Sequence, residues 1–449
     1  MKKVLLALPL VAGASWAGST YYAGTQAQPA YEKLLADLNQ AATGVFILEA
    51  ADYSAGFTES VATTNVKFMH TDEPVLFQLQ HDINHSPVGT DPEGARFSAS
   101  SITTTLLTES LGSEDIQQFF TSFDSGEPFT LYTDVGFSGN VTSDLQLSAL
   151  SMDFEDGSIN FEGGRFDAVS DSGKIDVSGI LGKLSVDNGS GALVNVAESN
   201  AQFDLLRVAS SVYTGEQQIT FPEVSFTDAA MGSTVTFTNS VISSTTSLNG
   251  DKLDSETNLS VAMIESPLPL NSLSWDANVN GLSVDGLENY TTTMNRIMTM
   301  SQEGQEVGNL EVELMNAYKG LLTPGARFSN KMTVTNDGGD VIGDMGVKFN
   351  GDGSANGLDN MVTVADVLQA IVINLDLEAD TAAIDLTPAA MFMMHPMAQQ
   401  YIRNDGDRYT SNISVADLML TVNGDQTPLE SYLGDKLYEP MDFSAMADY

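Results

Sequence analysis

Cysteine is absent from this chain, which excludes disulfides, thiol nucleophiles and thiolate metal centres. Positive charge is scarce: 18 Lys and Arg stand against 60 Asp and Glu over 449 residues, a formal net charge of -42. Such a chain is repelled by the nucleic-acid backbone and by anionic lipid headgroups, so no nucleic-acid partner is expected. Long apolar runs are equally scarce. Beyond the N-terminus, no segment offers the ~20 apolar residues that a helix needs to cross a bilayer. Signatures of phosphate loops and esterases are missing too: there is no G-x-S-x-G, no Walker A motif and no dinucleotide fingerprint.

What is present begins at the N-terminus. Lys2 and Lys3 precede an uncharged run over residues 4–28, with the apolar centre VLLALPLVAGASWAGSTYYAG. Residues 1–25 read as a membrane anchor or a signal peptide. A cleavable segment would use Ser15, Trp16 and Ala17 as its small-x-small site. An uncleaved anchor over residues 4–24 would keep the lysines inside and set Trp16, Tyr21 and Tyr22 at the outer interface. Residues 26–43 read as an amphipathic helix, with Tyr31, Leu34, Leu35 and Leu38 on one face.

Residues 44–449 read as one elongated β-rich envelope domain, with a candidate subdivision near residue 283. The dominant period is two, in stretches such as FTLYTDV, SINFEG and STVTFT, separated by turn signals such as DNGSG and LNGD. In LQLSALSMDF the apolar phase flips between Ala149 and Leu150, which predicts a bulge. Helices are expected after Ser113, around Leu287, Tyr290 and Met294, around Leu310 and Leu314, at 364–371, and after Thr387 and Pro388. The last strand is expected in ADLMLTVNG. The fold class is therefore mainly β, or α+β. It is pictured as an extended, curved antiparallel sheet with several covering helices behind an N-terminal apolar helix.

Two of the four histidines fall in FQLQHDINHSPV. His81 and His85 have the i, i+4 spacing of a zinc-protease pair, but that pair works only on a helix. Here Phe77, Leu79, His81, Ile83 and His85 alternate with polar residues, so the segment is a strand. On a strand, i and i+4 lie roughly 13 Å apart, too far to share one ion. The reading is a strand whose inward face carries two histidines. No metal or cofactor is expected.

Four elements together resemble the YdgA-like bacterial envelope proteins, a family without an assigned activity. The basic start and apolar segment are similar to that family's N-terminus. DYSAGFTES is similar to its Tyr-x-x-Gly-aromatic-x-x-Ser turn, at Tyr53, Gly56, Phe57 and Ser60. INHSPV resembles its His-Gly-Pro element, with His85 and Pro87 matching and Ser86 in place of the glycine. LMLTVNGDQTPLE resembles its closing Asn-Gly element, at Asn423 and Gly424. The resemblance implies a periplasmic protein tethered to the inner membrane, and it makes these eight residues structural rather than catalytic.

The functional expectation is non-catalytic. A tethered sheet with one apolar face would bind lipid or another hydrophobic ligand, and would show a groove lined by Leu, Ile, Val and Phe. One alternative is an envelope scaffold that pairs with another copy as a homodimer. Another is a hydrolase built on convergent carboxylates.

Overall fold

In the computed structural model of the chain, the described residues are 46–439 without 69–75, 86, 92–93, 108–118, 155–156, 211, 229–231, 268, 303–312, 314–316, 318–319, 351–362, 394 and 396–397, together with 28–29, 31–32, 35–36 and 39. The N-terminal apolar segment, Ser113 and His70 lie outside them. The described part is mainly β, and its strands pair antiparallel. The chain divides into two units, residues 1–213 with 291–308, and residues 214–290 with 309–449.

The first unit opens with the hairpin Phe46–Ala55 and Glu59–Phe68, followed by Leu76–Asn84, Ser100–Leu106, Phe129–Val135 and Val141–Leu147, each paired to the next. Residues 31–32, 35–36 and 39 are helical. Tyr31 and Leu35 are buried against Ala62 and Ile83, with Leu48, Tyr53 and Ile102 packed around them. The amphipathic helix thus covers one face of the opening strands.

Further along this unit, strands break along a common line. The ladder from Leu147 to Gly164 resumes at Leu150 and Phe161, leaving Ser148 and Ala149 opposite Glu162 and Gly163. The same interruption recurs at Gly182 and Lys183, and at Ala197 and Glu198. In each strand the apolar parity changes there: Leu145 and Leu147 give way to Leu150 and Met152, and Ile159 and Phe161 to Phe166 and Ala168. A local twist that turns the following side chains over keeps an apolar face continuous across the break. The phase flip at Ala149 belongs to this line, but the expected bulge does not: two residues on each strand are left unpaired, so neither strand carries an extra one. Gly163 holds φ +85°, and a Cβ there would stand 2.6 Å from the Leu147 carbonyl oxygen.

The second unit is a meander of long strands: Tyr213–Asp228, Ser233–Asn249, Lys252–Glu265, Ser272–Ser283, Leu322–Asn336, Gly339–Phe349, Ile371–Asp380 and Arg408–Ala416. Each pairs antiparallel with its neighbour in this order. Between Ser283 and Leu322 the chain is helical at Val284–Gln302 and at residues 313, 317, 320 and 321. The two helical stretches meet closely, since a Cβ on Gly286 would lie 2.0 Å from the Gly320 carbonyl oxygen. Helix Val364–Ala370 starts with a full capping box, Thr363 with Asp366. Thr387 caps helix Ala389–Met393 by accepting from the Ala389 N–H.

The expected last strand, ADLMLTVNG, divides into several elements. Arg408–Ala416 ends at a turn on Asp417 and Leu418, with φ of 49° and 60°. Met419–Val422 follows, and a second turn at Asn423 and Gly424 leads to Asp425–Pro428, the last strand described. A left-handed Leu carries no sequence signal, which is why the first turn reads as strand.

Candidate functional site

The family-type residues of the N-terminal half converge on one buried knot. Gly56 sits in the connection between the first two strands, where a Cβ would lie 2.2 Å from the Glu59 carbonyl oxygen. Only glycine allows this tight reversal. Its N–H donates to Ser60 Oγ at 3.4 Å, and Ser60 Oγ lies 2.7 Å from His85 Nε2. The His85 N–H donates to the Thr58 carbonyl at 2.7 Å, and the Pro87 carbonyl accepts from the Ser98 N–H at 3.2 Å. The turn after the first strand is thereby tied to the segment after the third. Tyr53 packs against Tyr31 with ring centroids 6.1 Å apart. Phe57 does not join the knot and is exposed.

A hydrogen-bonded Ser–His pair invites a nucleophilic reading. Ser60 and His85 are only 2% and 1% exposed. His85 Nδ1, where an orienting acid would stand, has no partner among the described residues. Burial pushes the His85 pKa below its usual value. The pair braces two loops and is closed to a substrate.

His81 lies on the same face and is fully engaged. Its Nε2 is 2.7 Å from Thr64 Oγ1 and its Nδ1 is 2.8 Å from Thr104 Oγ1. Thr64 Oγ1 is in turn 2.6 Å from the Tyr31 hydroxyl, which donates to the Thr63 carbonyl. With one proton per hydroxyl, one pattern around a neutral ring fills every contact. Thr104 donates to Nδ1, Nε2–H donates to Thr64, Thr64 donates to Tyr31, and Tyr31 donates to Thr63. That pattern requires neutral His81, and burial lowers its pKa to about 4. Both ring nitrogens are spent, so His81 offers none to a metal. Among the described residues no group of three or more His, Asp or Glu is placed to hold an ion.

Asn423 organises the C-terminal hairpins. It adopts φ 52° and Gly424 φ 94°, the pair of left-handed conformations that a tight two-residue hairpin turn demands. Its Oδ1 accepts from the Asn412 N–H at 2.9 Å, and its Nδ2 donates to the Tyr401 carbonyl at 2.8 Å. Its own carbonyl accepts from the Arg403 guanidinium. One side chain therefore ties the turn to the neighbouring strand and to the end of helix Ala398–Tyr401.

The most extensive surface feature belongs to the second unit. On strand Ser272–Ser283, Leu273, Trp275, Ala277 and Val279 point one way, and Ser274, Asp276, Asn278 and Asn280 the other. Register carries this division to the neighbours. Trp275 stands beside Leu259 on one side and Met332 on the other, and Met332 leads through Gly343 to Leu377. The adjoining rung runs from Asn330 through Met345 and Leu375 to Ile413, with the Trp275 indole N–H donating to Asn330. Buried residues gather toward the strand ends: Phe349, Ala365 and Leu437 in one group, and Ala379, Ala383 and Ile384 in the other. The middle stays open. Met332 and Met345 remain 48% and 45% exposed, and Phe328, Leu377 and Ile242 are exposed beside them. Contiguous apolar surface of this kind marks a place where something binds.

The described fold is that of a β-rich protein whose second unit presents a polar sheet face and a half-open apolar one. The chain belongs to the DUF945 family, bacterial proteins of unknown function, whose model matches residues 1–430. Comparisons with curated proteins and with solved structures give no match.

Proposed function

We propose that this protein is a non-catalytic envelope protein, tethered through residues 4–24, that binds lipid or another hydrophobic ligand along its antiparallel sheet. The observation that carries the reading is the half-open apolar face around Trp275, Met332, Met345 and Leu377. Burying such a surface is worth about 25 cal/mol per Å² of apolar area, and an acyl chain supplies a matching surface without unpaired polar groups. The open thioethers suit a ligand of variable shape, because Met side chains adapt their packing. The basic start at Lys2 and Lys3 and the apolar run behind it support a periplasmic location with the inner membrane as anchor. The finer likeness to the YdgA-like proteins, at Tyr53, Gly56, Ser60, His85, Pro87, Asn423 and Gly424, agrees with an envelope role.

The test is direct. Residues 26–449 are exported to the periplasm behind a cleavable signal peptide, purified without detergent, and extracted into organic solvent for mass spectrometry beside a matched control. Stoichiometric lipid supports the reading. A clean extract from a dimeric protein favours the second reading, in which the same apolar face pairs two copies in an envelope scaffold.

A further inference from the structure

Some basic side chains on the strands stand beside acids. Arg408 meets Glu378 and Asp380 at 3.0 Å, and Arg165 meets Asp144 at 2.6 Å. Lys174 meets Asp176 at 2.9 Å. Arg327 and Lys348 instead stand beside each other. They are direct partners in the antiparallel register, so their side chains leave the same face side by side. Neither makes an ion pair or hydrogen bond with another described residue. Like charges directly opposite one another destabilise a sheet. In a chain with 60 acids and 18 bases, an acid opposite either one would be the ordinary solution.

The pair borders a depression of about 370 Å³ on the polar face of the second unit. Gly346, two residues from Lys348, lies in this lining and adds no side chain to fill the space. Asn350 and Asn374 also line it, and their side-chain amides make no hydrogen bond with a described residue. Asp344 and Asp376, opposite one another on a rung four residues from Lys348, form the other end, roughly 13 Å along the strand.

We propose that this depression binds a phosphoryl group, held by the Arg327 guanidinium and the Lys348 ammonium, with the two asparagine amides as further donors. Arg offers a planar fork and Lys a compact charge, which together suit a tetrahedral oxyanion. The two carboxylates limit the ligand. They repel a polyanion, whereas a phosphoryl group that carries an amine turns its cation toward them. Phosphoethanolamine has this order of charges, either free or as a lipid headgroup. The site lies on the face opposite Met332 and Met345, so it does not depend on the apolar face being a lipid site.

The test uses the full chain in a non-ionic detergent, with calorimetric titration and thermal unfolding. The probes are inorganic phosphate, O-phosphoethanolamine, and mixed micelles of phosphatidylethanolamine, with micelles of the detergent alone as control. Binding of a phosphoryl probe with a rise in Tm is expected. Arg327→Gln and Lys348→Gln should each weaken it by about tenfold or more, the loss of one charge-assisted contact. Without ligand, either variant should keep or raise its own Tm, because a like-charge repulsion is removed. That result separates a lost site from a lost fold. A response to micelles but not to free O-phosphoethanolamine assigns the headgroup as the source, and a response to the free compound assigns the soluble one. The proposal is overturned if no probe binds, or if binding survives unchanged in both variants.

Discussion

Ser60 Oγ and His85 Nε2 lie 2.7 Å apart, both almost fully buried, and join a turn to a strand end separated from it by 25 positions in the chain. Neither residue has another side-chain partner of equal quality. Ser60→Ala therefore leaves a buried imidazole nitrogen without a partner. A loss of about 1–3 kcal/mol in stability is expected, read as a lower urea midpoint with an unchanged slope.

Acid should loosen the first unit. His81 has a folded pKa of about 4 against 6.5 for a free imidazole. Between those values the unfolded chain takes up a proton that the folded one refuses. Stability is then fully present above pH 6.5 and falls as pH drops toward 4, by at most roughly 3 kcal/mol from this group. Burial also lowers the His85 pKa, which adds in the same direction. Urea midpoints measured from pH 7.5 to 4.5 check this. In His81→Gln, which cannot titrate, the fall over this window should shrink.

Gly163 tests the line of strand breaks. Its φ of +85° and the 2.6 Å approach of the Leu147 carbonyl leave no room for a side chain. Gly163→Ala should cost about 1–3 kcal/mol. The same change at Gly139, whose Cβ would meet nothing within 4 Å but which also has positive φ, should cost only the backbone part. Thermal unfolding of the two variants separates steric from conformational cost.

Asn423 holds a left-handed turn and supplies two side-chain hydrogen bonds. Asn423→Ala loses both contacts and a residue suited to that conformation, and about 1–3 kcal/mol should follow. Hydrogen exchange should show the hairpin from Met419 to Pro428 opening first, before the long strands of the same unit.

The sequence made the period-two strands, the break at Ala149 and the inward-facing histidines legible, because each is a local pattern of apolar and polar residues. It also marked Gly56, Ser60, His85 and Asn423. It could not say that Ser60 and His85 touch, because that contact depends on the register between two strands. Thr64 and Thr104 gave no signal at all, and Tyr31 was marked only as part of a helix face. Threonines are ordinary strand residues, and only the fold lines them up around His81. The turn at Asp417 and Leu418 was hidden for a different reason: Asp tolerates a positive φ, but nothing in a Leu side chain favours one. The open apolar face was half legible. Alternation predicts an apolar side on each strand, but only the register shows that Trp275, Met332 and Leu377 lie in one row, and only the packing leaves them uncovered.

The measurement closest to the central claim compares lipid content in the native protein and in Met332→Glu with Met345→Glu. Both positions are about half exposed, so the double variant should fold with little change in Tm, within about 1 kcal/mol of the native stability. The account predicts stoichiometric lipid in extracts of the native protein and several-fold less in the variant. Equal amounts in both, or none in either, would contradict it.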